Sequence, residues 1–225
     1  MPKTIILSLG GSLICPDSFD FVFLKKFRQV IEKYIKKNHK FAIICGGGKL
    51  ARTFQGIASK SSKLSNEELD WLGIHATKIN AYIVKSIFGN SAENFVISNP
   101  TKKVSLKKNI LIASGWKPGW STDYDAVLLT KKLKVNEVVN ISNIDYVYDK
   151  DPKKFKNSKR IERINWNSYL KISGAKWKAG MNVPFDPVAA KEAQKSKIRV
   201  YIIGKNLKNL ENLLNNKLFK GTTIE

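Results

Sequence analysis

The stretch 113–125 reads Ala-Ser-Gly-Trp-Lys-Pro-Gly-Trp-Ser-Thr-Asp-Tyr-Asp and brings together residue types that bind anions. It overlaps the end of an apolar run, 110–113, that predicts a buried strand, and it precedes a periodic segment, 126–133, that predicts a helix. Two glycines and a proline favour a tight loop between them. Ser121 and Thr122 suit the N-cap of that helix. A glycine-rich turn into a helix leaves N–H groups free at the positive end of the helix dipole, which predicts a phosphate site.

Two more glycine loops follow predicted strands. Gly10-Gly11-Ser12 comes after the apolar run 3–9, and Gly46-Gly47-Gly48 comes after the apolar run 41–45. A P-loop is excluded because Lys49 is followed by leucine, and no G-x-G-x-x-G follows the first strand. Ligands of open α/β sheets lie at the carboxyl ends of the strands. Three such loops therefore predict a ligand pair with several phosphates, such as a phosphoryl donor and a phosphorylated acceptor.

Strand–loop–helix units recur along the chain, and they predict an α/β fold with a parallel sheet and helices on both sides. Apolar runs predict strands at 3–9, 41–45, 95–98, 110–113, 135–141, 198–203 and 222–224. Helical spacing of apolar residues and N-capping signals predict helices at 21–34, 49–59, 67–88, 126–133, 166–172, 188–196 and 207–215. The stretch 142–152 is polar and turn-rich.

The length of 225 residues suits a single domain. We expect an N-terminal lobe of about residues 1–110 and a C-terminal lobe of about residues 111–225, with a seam near the lysine-rich segment 99–109. No apolar run reaches the roughly 18 residues of a membrane span, and the N-terminus does not resemble a signal peptide. We therefore expect a cytoplasmic protein that does not bind membranes. Cys15 and Cys45 provide neither a disulfide framework nor a metal-binding spacing.

The net charge is unusually positive, because 40 Lys and Arg residues face 18 Asp and Glu residues and give +22. Such a charge attracts nucleotides and other polyanions. The lysines are spread over the whole chain without a basic arm or an aromatic RNA-binding motif, so a general compositional bias explains them better than a nucleic-acid face. We expect no specific binding to nucleic acid.

Two side chains on or beside these loops suit phosphoryl transfer. Arg52 lies about one helical turn beyond the glycines and can bind a phosphate bidentately. Asp123 can orient cationic groups or hold Mg²⁺ through water, because Mg²⁺ takes few carboxylates and keeps its waters. We predict catalytic roles for both residues and no dedicated set of protein ligands for a metal. The simpler interpretations are a solvated arginine and an acid that stabilises the helix dipole.

Five segments, in this order, resemble the amino-acid-kinase superfamily and, within it, the archaeal-type uridylate (UMP) kinases. They are Leu-Gly-Gly-Ser at 9–12, Gly-Gly-Gly-Lys-Leu-Ala-Arg at 46–52, Pro-Gly-Trp-Ser-Thr-Asp at 118–123, Asn-Ile-Asp-Tyr-Val-Tyr at 143–148 with Asp-Pro at 151–152, and Asp-Pro-Val-Ala-Ala at 186–190. The resemblance runs from residue 5 to the C-terminal Gly-Thr-Thr-Ile and covers nearly the whole chain.

The resemblance implies a three-layer α/β/α sandwich around a mainly parallel sheet, and transfer of the ATP γ-phosphoryl group to UMP with Mg²⁺. It also implies a homohexamer, with UMP in the N-terminal lobe and ATP in the C-terminal lobe. The ATP-binding residues it implies are Gly10, Gly11, Ser12, Gly48, Arg52, Ser142, Asn143, Tyr148 and Asp151. The UMP-binding residues it implies are Gly47, Asp70, Trp116, Lys117, Pro118, Gly119, Trp120, Ser121 and Thr122. On the residues alone, Asp70 is a surface acid on a helix.

The chain departs from the superfamily at three places. Ser8 stands where many members have lysine, Tyr146 replaces the glycine of Asn-Val-Asp-Gly-Val-Tyr, and the segment 176–180 is unfamiliar. Two alternatives therefore stay open beside a UMP kinase. One is a nucleotide-binding storage or regulatory protein that has lost turnover, and the other is a kinase of the superfamily with another small acceptor.

Overall fold

The computed structural model describes residues 3–102, 104–174 and 183–225. Among them the strands are β1 (Thr4–Leu9), β2 (Lys40–Cys45), β3 (Ala92–Ile97), β4 (Ile110–Ala113), β5 (Glu137–Ile141), β6 (Val147–Tyr148), β7 (Arg160–Ile161), β8 (Arg163–Ile164), β9 (Arg199–Ile203) and β10 (Thr222–Ile224). The helices are α1 (Gly11–Ile14), α2 (Phe21–Ile35), α3 (Gly48–Ser61), α4 (Asn66–Phe88), α5 (Thr122–Lys132), α6 (Trp166–Ser173), α7 (Pro187–Lys195) and α8 (Leu207–Leu214). A short 3₁₀ turn, Gly89–Ser91, joins α4 to β3.

Eight strands form one sheet in the order β3-β4-β2-β1-β5-β9-β10-β8. Neighbouring strands are parallel throughout, except that β10 runs antiparallel to β9. The chain adds β2, β4 and β3 on one side of β1 and β5 and β9 on the other, so the strand order reverses at β1. The carboxyl ends of β1, β2 and β5 therefore meet at the place where ligands of open α/β sheets bind.

Two apolar layers cover the sheet. One face packs against α1, α2, α4 and α8 through buried residues such as Phe27, Tyr34 and Phe88. The other face packs against α5, α6 and α7 through buried residues such as Leu129 and Tyr169. Strands β1 and β2 are almost fully buried, which explains their nearly continuous apolar sequences. The predicted α/β class and the three-layer sandwich are confirmed.

Local sequence determines where the central helices begin. Ser65 and Glu68 form a reciprocal capping box at the start of α4. The side chain of Ser121 accepts a hydrogen bond from the N–H group of Tyr124 and caps α5. Asp186 caps α7 and is followed by proline at the first helical position. The helices that approach the glycine loops are thus fixed by polar residues placed at their starts.

The structure differs from the sequence predictions at several boundaries. Strand β3 begins at Ala92, three residues before the predicted start, and β5 begins at Glu137, two residues after the predicted start. Lys134, in the turn before β5, has a positive φ of 54°. Strands β6, β7 and β8 were not predicted, since pairs of two residues are too short to show alternation. Helix α1 was expected to be loop. The proposed boundary between two lobes lies inside β4, and the division remains a prediction.

Candidate active site

The first two glycine loops, Gly10-Gly11-Ser12 and Gly46-Gly47-Gly48, pack against each other, and we call them the glycine corner. The N–H group of Gly46 donates to the carbonyl oxygen of Leu9 at 2.9 Å. A Cβ atom at Gly11 would lie 2.3 Å from the carbonyl oxygen of Gly46, and one at Gly48 would lie 2.2 Å from the nitrogen of Ser12. Gly48 also has φ of +58°. Glycine is therefore required where the two backbones approach this closely.

The start of α3 gives the glycine corner an anion-binding character. Gly47 is its N-cap and supplies no side-chain acceptor, so the first N–H groups of the helix stay available for a ligand. Arg52 is exposed one turn further on, and its Nη2 donates to Ser12 Oγ at 3.2 Å. Lys49 forms an ion pair with Asp17. The corner thus combines free backbone donors with a guanidinium group that is held beside them.

The third loop, residues 115–121, follows β4, and we call it the tryptophan loop. The ring centroids of Trp116 and Trp120 lie 4.8 Å apart in an edge-to-face arrangement. The ammonium group of Lys117 lies 4.6 Å from the first ring and 4.3 Å from the second. Trp120 also packs edge to face on Tyr124, with centroids 4.4 Å apart. Cation–π and aromatic contacts therefore give this loop a fixed shape and a positive charge.

Helix α4 connects the tryptophan loop to the glycine corner through three polar side chains. Asp70 Oδ2 accepts from the N–H group of Gly119 at 2.6 Å, and Thr77 Oγ1 accepts from the N–H group of Gly115 at 2.8 Å. The side-chain amide of Asn80 donates to the carbonyl oxygens of Gly46 at 2.7 Å and Gly47 at 3.3 Å. One helix thereby positions two loops that follow different strands.

Two carboxyl groups lie near the ends of β1 and β5. Asp123 Oδ1 accepts from Ser8 Oγ at 3.0 Å and from Asn140 Nδ2 at 3.1 Å, while Oδ2 accepts from the N–H group of Asp186 at 3.2 Å. Burial of the carboxyl group and the neighbouring charge of Asp186 raise the pKa of Asp123 to about 7. Burial also raises the pKa of Asp186, whose carboxyl group accepts from the hydroxyl of Ser121.

Asp125 is a third buried acid in the same region. Its Oδ2 accepts from the N–H group of Trp116 at 3.2 Å, and its Oδ1 has no hydrogen-bond partner among the described residues. Burial is the main cause that raises its pKa to about 8. The base of the tryptophan loop is therefore bonded to a buried carboxyl group with a raised pKa.

The sequence model of the amino acid kinase family matches residues 3–204. The chain belongs to the amino acid kinase family. It is similar to the uridylate kinase of Thermococcus kodakarensis, with 37% identity over 204 residues, 89% of this chain and 90% of that protein. It is also similar to the uridylate kinase of Thermoplasma volcanium, with 33% identity over 228 residues, 100% of this chain and 99% of that protein. The crystal structure of uridylate kinase from Archaeoglobus fulgidus superposes with a TM-score of 0.84 at 30% identity, with both chains covered completely.

In this member of the amino acid kinase family, most of the residues that the resemblance implies near the nucleotide phosphates lie together. The glycine corner contains Gly10, Gly11, Ser12, Gly47 and Gly48, and Arg52 is bonded to it. Asp70 contacts the tryptophan loop, which contains Trp116, Lys117, Pro118, Gly119, Trp120 and Ser121, and Thr122 begins the helix that follows. These contacts place the proposed UMP-side residues next to the proposed phosphate-side residues, although binding itself remains a prediction.

The remaining residues that the resemblance implies for ATP binding lie in the segment between β5 and β7. A Cβ atom at Gly10 would lie 3.4 Å from the α-carbon of Ser142, so this serine adjoins the glycine corner. Asn143 is exposed, and Tyr148 pairs with Arg160 in the two-stranded β6–β7 sheet. Asp151 is exposed and accepts from the N–H group of Lys153 within its own turn. Asp151 bonds within its own turn, whereas the N–H group of Ser142 donates to the carbonyl oxygen of Ile203 at 3.0 Å.

Two of the three departures from the superfamily are accommodated by packing. Ser8 is 5% exposed and donates to Asp123, so a hydroxyl group takes the place beside this acid where many members have an ammonium group. Tyr146 is 8% exposed, and the guanidinium carbon of Arg160 lies 5.3 Å from its ring centroid. The segment 176–180 lies outside the described residues.

Sequence reasoning missed several polar residues of this site. Thr77, Asn80 and Asn140 occur within apolar segments where nothing local distinguishes them from tolerated core polar groups. Asp186 entered the predictions only through the motif at 186–190, and no role was predicted for Asp125. The sequence could have indicated Thr77 and Asn80 as functional candidates. Both lie on the buried face of a long helix whose other buried residues are mainly apolar.

The carboxyl groups of Asp123 and Asp186 suit a metal ion that binds together with a nucleotide. The described residues contain no group of three or more His, Cys, Asp or Glu side chains that could enclose a metal ion. Mg²⁺ commonly uses one or two carboxylates together with substrate phosphates and water. Asp123 and Asp186, adjacent to the glycine corner, match that requirement.

No described helix is long and apolar enough to cross a membrane.

Proposed function

We propose that this protein transfers the γ-phosphoryl group of ATP to UMP and forms UDP and ADP. The observation that carries the proposal is that α4 bonds to both the glycine corner and the tryptophan loop, so two anion-binding loops face one site. The proposal is also supported by the similarity, over most of the chain, to proteins named uridylate kinase. A purely storage or regulatory role is not favoured by these relatives.

Phosphoryl transfer requires in-line positioning of donor and acceptor and compensation of charge on the moving group. The N–H groups at the start of α3 bind the phosphates without side-chain interference. Arg52, held beside Ser12, contacts the transferring group and compensates charge on its equatorial oxygens. It takes this role because Ser8 supplies no cation.

On the acceptor side, Asp70 binds the ribose hydroxyls of UMP while it holds the N–H group of Gly119. The tryptophan loop closes around the nucleotide, and Lys117, between two indole rings, attracts its phosphate. On the donor side, Ser142, Asn143, Tyr148 and Asp151 bind the adenosine part of ATP. Acceptors without a ribose would leave Asp70 unused, which disfavours an acyl or carbamoyl acceptor.

Mg²⁺ accompanies ATP in this proposal. When bound, it neutralises charge on the phosphates, and Asp123 with Asp186 would hold it through water. The raised pKa of Asp123 suits that role, because a carboxyl group with a pKa of about 7 ionises readily when a cation is placed beside it. Without a cation, the neutral form limits repulsion between the two acids.

We also propose a homohexamer in the cytoplasm that does not bind specific nucleic acids. Support for association comes from exposed aromatic and aliphatic side chains on one face of α4 in a strongly basic chain: Trp71, His75, Ile79 and Tyr82, with the partly exposed Lys78 among them. Light scattering coupled to size-exclusion chromatography tests the assembly. The variant Tyr82→Lys should reduce the measured mass, whereas a monomeric wild-type protein would contradict the proposal.

A coupled assay of ADP release tests the function. The purified protein is supplied with ATP, Mg²⁺ and, in separate reactions, UMP, CMP, AMP or GMP. We expect release that is fastest with UMP and absent without Mg²⁺. If another monophosphate is preferred, the acceptor assignment is wrong. If none stimulates release, the storage or regulatory alternative replaces the enzyme.

A further inference from the structure

Asn80 is an unusual residue for the interior of this fold. It is 0% exposed on α4, and Ala76, Ala81 and Val84 are buried on the same helix. Its Oδ1 has no hydrogen-bond partner among the described residues, while Nδ2 donates to two glycine carbonyls. A buried amide oxygen without a hydrogen-bond partner carries a desolvation cost in the folded protein. An apolar residue would avoid that cost, so the amide needs another explanation.

The direction of the two hydrogen bonds from Asn80 Nδ2 supplies that explanation. Because Nδ2 binds the carbonyl oxygens of Gly46 and Gly47, those oxygens point toward α4. In a trans peptide the C=O and N–H groups point in opposite directions. The N–H groups of Gly47 and Gly48, in the same two peptide units, therefore point away from α4. The described residues provide no protein acceptor for either of them.

Thr77 performs the corresponding task for the tryptophan loop. It is 6% exposed, its hydroxyl donates to the carbonyl oxygen of Ile74 at 2.6 Å, and this bond orients Oγ1 to accept from Gly115. A Cβ atom at Gly115 would lie 3.0 Å from that oxygen, so the loop backbone presses against the helix. Thr77 and Asn80 are three positions apart in the chain, which places both on one face of α4.

We propose that Thr77 and Asn80 are positioning residues that set the separation of the two substrates. Asn80 orients the N–H groups of Gly47 and Gly48 toward the transferring phosphoryl group, and Thr77 fixes the tryptophan loop that holds the acceptor. The inference rests on the proposed function. Because α4 is one rigid helix, the two loops keep a constant spacing, as in-line transfer requires.

The two residues are expected to affect different kinetic constants. Asn80→Ala should lower kcat by about 10², since misplacement of reacting groups by about 1 Å has effects of that size. Its KM for UMP should stay near the wild-type value, because Asp70 and Thr77 still hold the tryptophan loop. Thr77→Val should instead raise KM for UMP about tenfold, since it leaves the N–H group of Gly115 without its acceptor. Thr77→Ser keeps the hydroxyl and should restore KM.

Matched controls separate positioning from stability. Asn209 is another buried helical asparagine that ties a loop, with bonds to the backbone of Lys220 at 2.6 and 2.7 Å. Thr130 is a buried helical threonine whose hydroxyl bonds only to the carbonyl oxygen of Ala126 among the described residues. Asn209→Ala and Thr130→Val should lower the melting temperature and keep both kinetic constants. Where Asn80→Ala does not fold, Asn80→Ser serves with the same expected result.

Steady-state kinetics together with calorimetric binding of UMP and of a non-transferable ATP analogue decides the inference. If the Asn80 variants match Asn209→Ala in kcat, or Thr77→Val matches Thr130→Val in KM, the inference is overturned while the kinase remains. If the wild-type protein shows no turnover, the proposed function fails on its own. Calorimetry then still decides, because Thr77→Val should weaken UMP binding about tenfold without weakening the analogue.

Discussion

The glycine corner with the tryptophan loop differs from the segment 149–159 in how firmly the rest of the fold holds it. The former is fixed by buried side chains of α4, by β1 and by direct contact between glycines. The latter is a turn-rich stretch whose described hydrogen bonds all lie within it, such as that between Asp151 and Lys153. The difference indicates that the protein preorganises the place of phosphoryl transfer more strictly than the turn that carries Asp151. Substitutions in the first region should change rates, and substitutions in the second should change mainly nucleotide affinity.

The largest effect is expected at Arg52. Arg52→Ala should lower kcat by at least about 10², because a transition-state arginine contributes roughly 10³–10⁵ in related chemistry. Lys60→Ala, an exposed cation at the other end of α3, should leave kcat unchanged. Should Arg52→Ala retain the wild-type kcat while Lys49→Ala abolishes it, Lys49 has the role assigned here to the arginine.

Asp125 should affect stability in a pH-dependent way. Its raised pKa of about 8 means that the folded chain keeps a proton which the unfolded chain loses near pH 4. Unfolding therefore releases a proton between about pH 4 and pH 8, and wild-type stability falls as pH rises through this range. Asp125→Asn removes that term, so the free energy of unfolding of the variant relative to wild type should rise by about 2 kcal/mol across the range. This expected change is smaller than the one obtained by counting roughly 1.4 kcal/mol for every unit of the pKa shift. The reason is that water entering the structure lowers the cost of the buried charge.

Urea unfolding at several pH values measures the difference. Glu68→Gln is the control of opposite sign, because hydrogen bonds from Ser65 hold the pKa of Glu68 below its usual 4.5. Its contribution to wild-type stability is lost as pH falls below that value. Parallel pH profiles for wild type and Asp125→Asn would show that Asp125 is ionised in the folded protein.

Asp70 tests the acceptor side of the rigid region. Asp70→Asn keeps a weaker acceptor for the N–H group of Gly119 but loses the charge that binds the ribose hydroxyls. Loss of a charge-assisted bond costs about 1–2 kcal/mol, so KM for UMP should rise about tenfold while KM for ATP stays unchanged. Glu67→Gln, in the first turn of the same helix, is the control. An unchanged KM for UMP would remove Asp70 from the site.

Lys117 should have a smaller effect of the same kind. Lys117→Ala removes the cation between Trp116 and Trp120 and should raise KM for UMP about fivefold, consistent with an exposed cation–π contact of about 0.5–1 kcal/mol and a lost phosphate attraction. Lys37, whose ammonium group lies 5.0 Å from the ring centroid of Tyr34, provides a matched contact elsewhere. Equal kinetics for Lys117→Ala and Lys37→Ala would show that the loop lysine does not contact UMP.

The smallest effect is expected in the segment 149–159. Asp151→Ala should raise KM for ATP about twofold and leave kcat and KM for UMP unchanged, since Asp151 is exposed and bonds within its own turn. Asp145 provides a contrast, because its carboxylate packs so closely on Gly204 that a Cβ atom there would lie 1.8 Å from Oδ1. A large fall in kcat for Asp151→Ala would mean that the two regions are equally preorganised, against the comparison drawn above.

The sequence predicted the architecture better than the connections within the site. Apolar runs and glycine loops identified β1, β2 and β4, because buried parallel strands are continuously apolar and loops at strand ends require glycine. The bonds of Thr77 and Asn80 were beyond prediction, since they depend on which loops the topology brings to α4. Tyr146 shows the same limit: its inward packing against Arg160 depends on β6 pairing with β7, strands too short for a periodic signal.

Direct observation of the product by ³¹P nuclear magnetic resonance tests the central claim, that this corner transfers a phosphoryl group to UMP. The wild-type protein is incubated with ATP, Mg²⁺ and UMP, and Arg52→Ala serves as the comparison. We predict that the UMP signal is replaced by the two signals of UDP, that ATP is converted to ADP in equal amount, and that the variant slows both changes together. Conversion of ATP to ADP and inorganic phosphate with UMP unchanged, or no change in any signal, would contradict the claim.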